Sequence, residues 1–148
     1  MDKTGLIAHT NSVLRTKQKY LCVSRPLRFG KSTAEDMLAA YYECGDDSRA
    51  MFEPFEIAAH SSFNQYLNRY NVVMLNIQNF LSWAKNDIAN MEELIAKILI
   101  TELRKEYGDI VDDGFGILRM TIDVVAKQTN IPFIFLIDEW DCIFRIHQ

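Results

Sequence analysis

At 148 residues, 49% hydrophobic and 24% charged, the chain has the composition of a soluble globular protein with one real core, which excludes disordered and fibrous classes. Its formal net charge of -4 argues against a domain whose main work is coating a nucleic-acid backbone, since that work shows as a basic excess. The three cysteines, Cys22, Cys44 and Cys142, are odd in number, widely spaced and without a CxxC or a nearby zinc-spaced His, so they read as reduced core thiols.

Met1-Asp2-Lys3-Thr4-Gly5 carries no apolar leader, and no apolar stretch approaches the ~18 residues of a membrane helix. A cytoplasmic protein without a membrane partner is the expectation. No repeat, low-complexity tract or Pro/Gly-rich linker divides the chain, which reads as one domain or part of one. The run Tyr20-Leu21-Cys22-Val23-Ser24, bounded by polar residues and by Arg25-Pro26, predicts a buried strand ending in a loop. From Ser32 onward Ala34, Met37, Leu38, Tyr41 and Tyr42 recur on one helical face, and that helix is expected to stop near Gly45.

Residues 46–70 are irregular and predict only short helices around Phe52, Phe55, Phe63 and Tyr66. Val72-Val73-Met74-Leu75-Asn76-Ile77 predicts a second buried strand. A long helix is expected over 86–107, with Ile88, Met91, Ile95, Ile98, Leu99 and Leu103 on its apolar face. Phe115, Leu118, Ile122 and Val125 keep helical spacing up to Asn130, and Pro132 forbids continuation. Phe133-Ile134-Phe135-Leu136-Ile137 is then closed by Asp138-Glu139. A strand apolar on both faces belongs inside a parallel sheet covered by helices on both sides, so the pattern predicts an α/β, doubly wound architecture. Ligands in such sheets bind at the carboxyl ends of the strands.

The segment Ser24-Arg25-Pro26-Leu27-Arg28-Phe29-Gly30-Lys31-Ser32 lies between the first predicted strand and its helix, where a phosphate-binding loop must lie. Gly30 lets backbone N–H groups approach the phosphates, Lys31 reaches the β- and γ-phosphates, and the Ser32 hydroxyl ligates Mg²⁺. The helix N-terminus, with Thr33 in its first turn, adds partial positive charge. Arg25 and Arg28 flank the phosphates and either touch the γ-phosphate or, as arginines beside a strand end more often do, sit in solvent; Arg28 and Phe29 complete the binding segment. The first glycine of G-x-x-x-x-G-K-[ST] would fall at position 25, where this chain has Arg25. A Gly-Lys-Ser/Thr triplet arises by chance in roughly one chain in ten to twenty of this length. Its placement between strand and helix, with an acidic strand end elsewhere, is what gives it weight.

Asp138 follows a hydrophobic strand directly, the setting of a Walker B aspartate that holds Mg²⁺ through Ser32 or a bound water. Glu139 is then the carboxylate able to activate the attacking water. The bland alternative is that Asp138, Glu139 and Asp141 form a solvated cap. ATP is favoured over GTP because no [NT]-K-x-D motif is present and Asp138-Glu139-Trp140 is not the D-x-x-G of small GTPases. His9, His60 and His147 have no metal or triad spacing.

Asp2-Lys3-Thr4-Gly5-Leu6-Ile7, the Arg-Pro-x-Arg-Phe-Gly-Lys-Ser loop, Met51-Phe52 with Phe55-Glu56-Ile57, and Leu136-Ile137-Asp138-Glu139-Trp140-Asp141 together resemble the AAA-ATPase-like family of prokaryotic proteins. Many of its members carry a PD-(D/E)XK-type nuclease domain further along. The loop resembles this family's variant, which accounts for Arg25, and Trp140 stands where the family often has Tyr. By resemblance Asp2 and Lys3 belong to a shared N-terminal motif, for which the sequence offers no physical role. The resemblance implies a three-layer P-loop NTPase sandwich whose strand between the P-loop and Walker B strands comes later in sequence. Gln148 is ten residues beyond Asp138 (148 − 138), so residues 1–148 are read as the N-terminal part of such a domain. The sheet is expected to be incomplete, with any sensor residue, arginine finger and nuclease absent.

Three functions follow: an ATPase in the full-length protein, a non-hydrolysing nucleotide sensor, and an α/β interaction domain with accidental motifs. The stretch alone is expected to be catalytically inactive. Nucleic acid enters only through an appended domain.

Overall fold

The computed structural model describes residues 2–23, 30–111 and 116–145. The chain divides into two units, Met1–Val72 and Val73–Gln148. Helices α1 (Gly5–Val13), α2 (Lys31–Tyr42), α3 (Arg49–Phe52) and α4 (Phe63–Tyr66) belong to the first, with a 3-10 turn at Glu56–Ala59. The apolar repeat of α2 is buried at Ala34, Leu38, Tyr41 and Tyr42, the last two at 0% exposure. A phenol hydroxyl taken out of water needs a partner, and Asn11 of α1 provides it. The Tyr42 hydroxyl donates to Asn11 Oδ1 at 2.6 Å. Asn11 Nδ2 donates to the Tyr41 oxygen at 3.1 Å and to Ser62 Oγ at 2.9 Å, while the Tyr41 hydroxyl donates to the Phe63 carbonyl at 2.9 Å. Edge-to-face contacts of Tyr41 with Tyr42 and Phe52, at 4.8 and 5.4 Å between centroids, fill the space around this network. Burial pushes both phenols above their usual ionisation range, Tyr42 far above it, so they act only as neutral hydrogen-bonding groups.

The carboxyl end of α2 is tied by main chain. Asn68, in the left-handed region at φ 54°, donates its N–H to the Tyr41 carbonyl at 2.8 Å, and Tyr70 donates to the Tyr42 carbonyl at 2.9 Å. Cys44 N–H returns a bond to the Tyr70 carbonyl at 2.9 Å, within an isolated parallel bridge between Glu43 and Tyr70. Carbonyls that a helix end leaves unpaired are thus satisfied by the chain leading into the next strand.

The second unit holds the sheet. Strand β1 (Asn71–Asn76), whose residues from Val73 belong here, pairs in parallel with β2 (Phe133–Asp138). Helices α5 (Ile77–Trp83), α6 (Ile88–Glu106) and α7 (Leu118–Thr129) and a 3-10 turn Trp140–Arg145 complete it. Asn76 and Asp87 accept from Asn79 and Asn90 amides at 3.0 and 2.9 Å, capping α5 and α6 at their first turns. Asn130, left-handed at φ 56°, ends α7 two residues before Pro132. Leu75, Ile77, Phe80, Leu81, Ala84, Met91 and Cys142 form the core, with Ile88, Ile95, Ile98 and Leu99 of α6 packed on it.

The α/β class, the helices at 31–42, 88–106 and 118–129 and the short helices of 46–70 agree with the sequence pattern. Three expectations do not. Residues 20–23 form no strand: Tyr20 is 86% exposed, Leu21 and Val23 are exposed, and no ladder pairs with them among the described residues. Four apolar residues satisfy a burial pattern, but a strand also needs a neighbour for its N–H and C=O groups. Cys22 is consequently an exposed thiol rather than a core one, whereas Cys142 is buried and Cys44 partly so. Strand β2 is not covered on both faces, since Phe135 and Ile137 are 41% and 47% exposed in a two-stranded sheet. Ser24 and Phe115 lie outside the described residues.

Removing the Asn11 carboxamide takes the acceptor from the buried Tyr42 hydroxyl and one of the partners of Tyr41 and of Ser62, which keep the Phe63 carbonyl and His60 Nδ1. Asn11→Ala is expected to lower unfolding free energy by about 2–3 kcal/mol, measured by urea titration.

Candidate functional site

Helix α2 begins at Gly30, whose backbone sits at φ 72°, ψ 37° and whose carbonyl accepts from Ala34 N–H at 3.1 Å. That left-handed conformation disfavours residues with a Cβ. Among the described residues no side chain caps the N-terminus of α2, and its first turn carries no acidic residue. Thr33 is exposed in this turn.

The N-terminal residues Asp2-Lys3-Thr4 come to the same place. The Asp2 carboxylate accepts from Glu56 N–H at 2.9 Å and, through its other oxygen, from the Thr4 amide and hydroxyl, each at 2.7 Å. Thr4, buried at 3% exposure, in turn accepts from Ile57 N–H at 3.3 Å. The Glu56 and Thr4 amides and the Thr4 hydroxyl hold the Asp2 carboxyl below its ordinary range. The clamp is thus formed throughout the neutral range, and its contribution is lost only as the pH falls through that lowered value. Lys3, between the two clamped residues, lays its Nζ against Gly30, where an added Cβ would collide with it.

In the second unit Asp138 is the last residue of β2 and Glu139 follows at φ 53°. A Glu in the left-handed region is unusual, costing about 1 kcal/mol or more, and such residues concentrate at functional sites. Asp138 Oδ1 accepts from the Glu139 amide at 2.7 Å. Arg145 lies 3.7 Å from Glu139 Oε2 and 3.4 Å from Asp141 Oδ2, with all three side chains well exposed, so these pairs add little stability. Cys142, one turn on, is buried against the core, which pushes its thiol up.

Of the residues singled out by sequence, Gly30 and Thr33 stand at the start of α2 and Asp138 and Glu139 at the end of β2. Arg25, Arg28 and Phe29, and the side chains of Lys31 and Ser32, lie outside what the structure describes. Lys3, Asp2 and Thr4 are the residues that local sequence reading leaves without a role; their partners Gly30 and Glu56 are 27 and 54 positions away from Lys3 and Asp2, beyond any helical or strand period. Among the described residues no three His, Cys, Asp or Glu side chains cluster as a metal site, and no helix is long and apolar enough to cross a membrane.

A family model described as "AAA-ATPase_like: Predicted AAA-ATPase" matches residues 1–146. The chain belongs to this AAA-ATPase-like family. No curated protein and no solved structure matches it. At the level of the family, membership supports a nucleotide-binding, ATPase-like role with ATP as ligand.

Backbone strain at Glu139 has a direct test. Glu139→Gly relieves the left-handed penalty at the cost of some chain entropy, so unfolding free energy is expected to stay level or rise by up to about 1 kcal/mol. Thermal unfolding of the two proteins side by side measures it.

Proposed function

We propose that this chain binds Mg-ATP and that the full-length protein hydrolyses it, within a three-layer P-loop sandwich. The observation that carries the reading is the start of α2: a left-handed Gly30 followed by Lys31 and Ser32, opening a helix that has, among the described residues, no side-chain cap and no carboxylate in its first turn. The residues fit the ligand. A polyphosphate needs N–H donors and a lysine, and Mg²⁺ bound with a nucleotide takes one or two protein oxygens plus phosphate and water rather than a cage of its own. In this reading Arg28, Phe29, Gly30, Lys31, Ser32 and Thr33 hold the phosphates, and Ser32 and Asp138 supply oxygens to Mg²⁺. When bound, the ion screens the charge that develops on the phosphates.

Glu139 is assigned as general base. Asp138 and Glu139 leave β2 in succession, so a carboxylate turned to the metal has the other as its neighbour. The left-handed backbone at Glu139 supports this, because strain of that kind persists where a side chain must be aimed. A second reading, a nucleotide sensor without turnover, is favoured by the approach of Arg145 to the Glu139 carboxylate, which would occupy the base. The ATPase reading requires that contact to give way when nucleotide is bound.

Lys31→Ala is expected to weaken binding of a fluorescent ATP analogue by about 10²-fold or more, because it removes the cation set against the β- and γ-phosphates. Unchanged affinity would reduce Gly30-Lys31-Ser32 to a turn. In the full-length protein, Glu139→Gln is expected to keep ATP affinity while single-turnover hydrolysis falls by about 10²-fold or more, since Gln cannot take a proton. Hydrolysis at the parental rate would remove Glu139 from the chemistry and leave the sensor reading standing.

A further inference from the structure

At the end of β2 the main chain is pinned while the charged side chains are not. Cys142, 2% exposed in the core, donates its N–H to the Glu139 carbonyl at 3.2 Å, and the Asp138 carboxylate holds the Glu139 amide at 2.7 Å. On that fixed turn Arg145 Nη2 stands 3.4 Å from Asp141 Oδ2 and 3.7 Å from Glu139 Oε2. Both separations exceed the roughly 2.7–2.9 Å of a charge-assisted hydrogen bond. The guanidinium is therefore committed to neither carboxylate, and it closes on one only by leaving the other. Between acids this exposed, such an exchange changes populations by about fivefold at most.

We infer that Arg145 is a brake on Glu139, applied when the guanidinium holds the Glu139 carboxylate and released when it passes to Asp141. The inference rests on the assignment of Glu139 as general base. A carboxylate that holds a cation is not free to turn toward an attacking water. Asp141 is the counter-acceptor: it keeps the cation paired as it leaves Glu139, so release exposes no lone charge. Because the main chain of the turn is fixed by Cys142 and Asp138, the exchange needs only side-chain rotation. Arg145 and Asp141 are positioning residues, and neither takes the proton.

The experiment has a nucleotide-free arm and a turnover arm. In the nucleotide-free chain, the side-chain carboxylate carbon-13 resonances of Glu139 and Asp141 are identified by their loss in Glu139→Gln and Asp141→Asn. Both are expected to move in Arg145→Gln, and to move the same way when salt is raised in the wild type, since each change removes the shared cation. Resonances that Arg145→Gln leaves in place overturn the inference. The second arm is single-turnover hydrolysis at saturating Mg-ATP in the full-length protein, with ATP affinity and melting temperature measured alongside. Arg145→Gln is expected to raise the rate about two- to fivefold and to make it insensitive to salt, with Arg145→Lys restoring most of the brake. Asp141→Asn is expected to lower the rate about twofold, because the guanidinium then has Glu139 alone, while affinity and melting temperature stay level in all three variants. An equal or slower rate in Arg145→Gln, with Glu139→Gln inactive, overturns the brake and spares Glu139 as base. A faster rate in Asp141→Asn overturns the exchange of partners. A wild type without hydrolysis, or a Glu139→Gln that matches its rate, overturns base and brake together.

Discussion

The carboxamide of Asn11 is the joint around which the first unit is arranged. It uses one acceptor and both donor hydrogens on Tyr42, Tyr41 and Ser62, so α1, α2 and the entry to α4 share a single buried side chain. Such a network stabilises only when complete, because each buried donor or acceptor left alone costs about as much as several satisfied bonds gain. With the carboxyl end of α2 also bonded through Tyr41 and Tyr42 carbonyls to residues 68 and 70, the helix is fixed from behind. The Asp2-Lys3-Thr4 clamp leads directly into the α1 that carries Asn11, and its Lys3 Nζ lies against Gly30 at the start of α2.

Local periodicity made much of this legible. The 3.6-residue spacing of Ala34, Leu38, Tyr41 and Tyr42, and of Met91, Ile95, Leu99 and Leu103, specifies a buried stripe that tertiary structure then fills. Periodicity says nothing about whether a short apolar run has a partner. Residues 20–23 and β2 carry the same kind of run; β2 is paired with β1, whereas 20–23 stand exposed and unpaired in any ladder among the described residues. The exposure of Cys22 follows from that single difference. The motif residues Gly30 and Asp138 were legible because their chemistry is local to one turn. Lys3 was not, because its meaning depends on Gly30, which only the folded chain brings to it.

The acidic strand end is built differently from the phosphate loop. At Gly30 the left-handed backbone is free of steric cost, whereas at Glu139 a residue with a Cβ accepts the same region of φ. The Asp138 carboxylate bonded to the Glu139 amide is one local compensation, and Cys142 N–H donating to the Glu139 carbonyl at 3.2 Å is another. Both fix main chain and leave the direction of the Glu139 side chain to its surroundings. Its neighbour in the structure is Arg145, on the surface, where water competes with the pair and side-chain entropy opposes it. A weak, exposed contact of this kind is one that a bound ligand can exchange for a stronger one at little cost.

Gly30 is required for two separable reasons, and their relative weight says what the site is. A Cβ there would meet the end of the Lys3 side chain, but a flexible ammonium can move aside by rotating its stem. The φ of 72° cannot be relieved that way, since it is set by the turn that places the first N–H groups of α2. The conformational requirement therefore dominates, at about 1 kcal/mol or more for a residue with a Cβ. What Lys3 contributes is charge rather than shape. Its ammonium stands at the positive end of a helix, where the dipole opposes a cation, so the contact with Gly30 adds no electrostatic reason for the glycine.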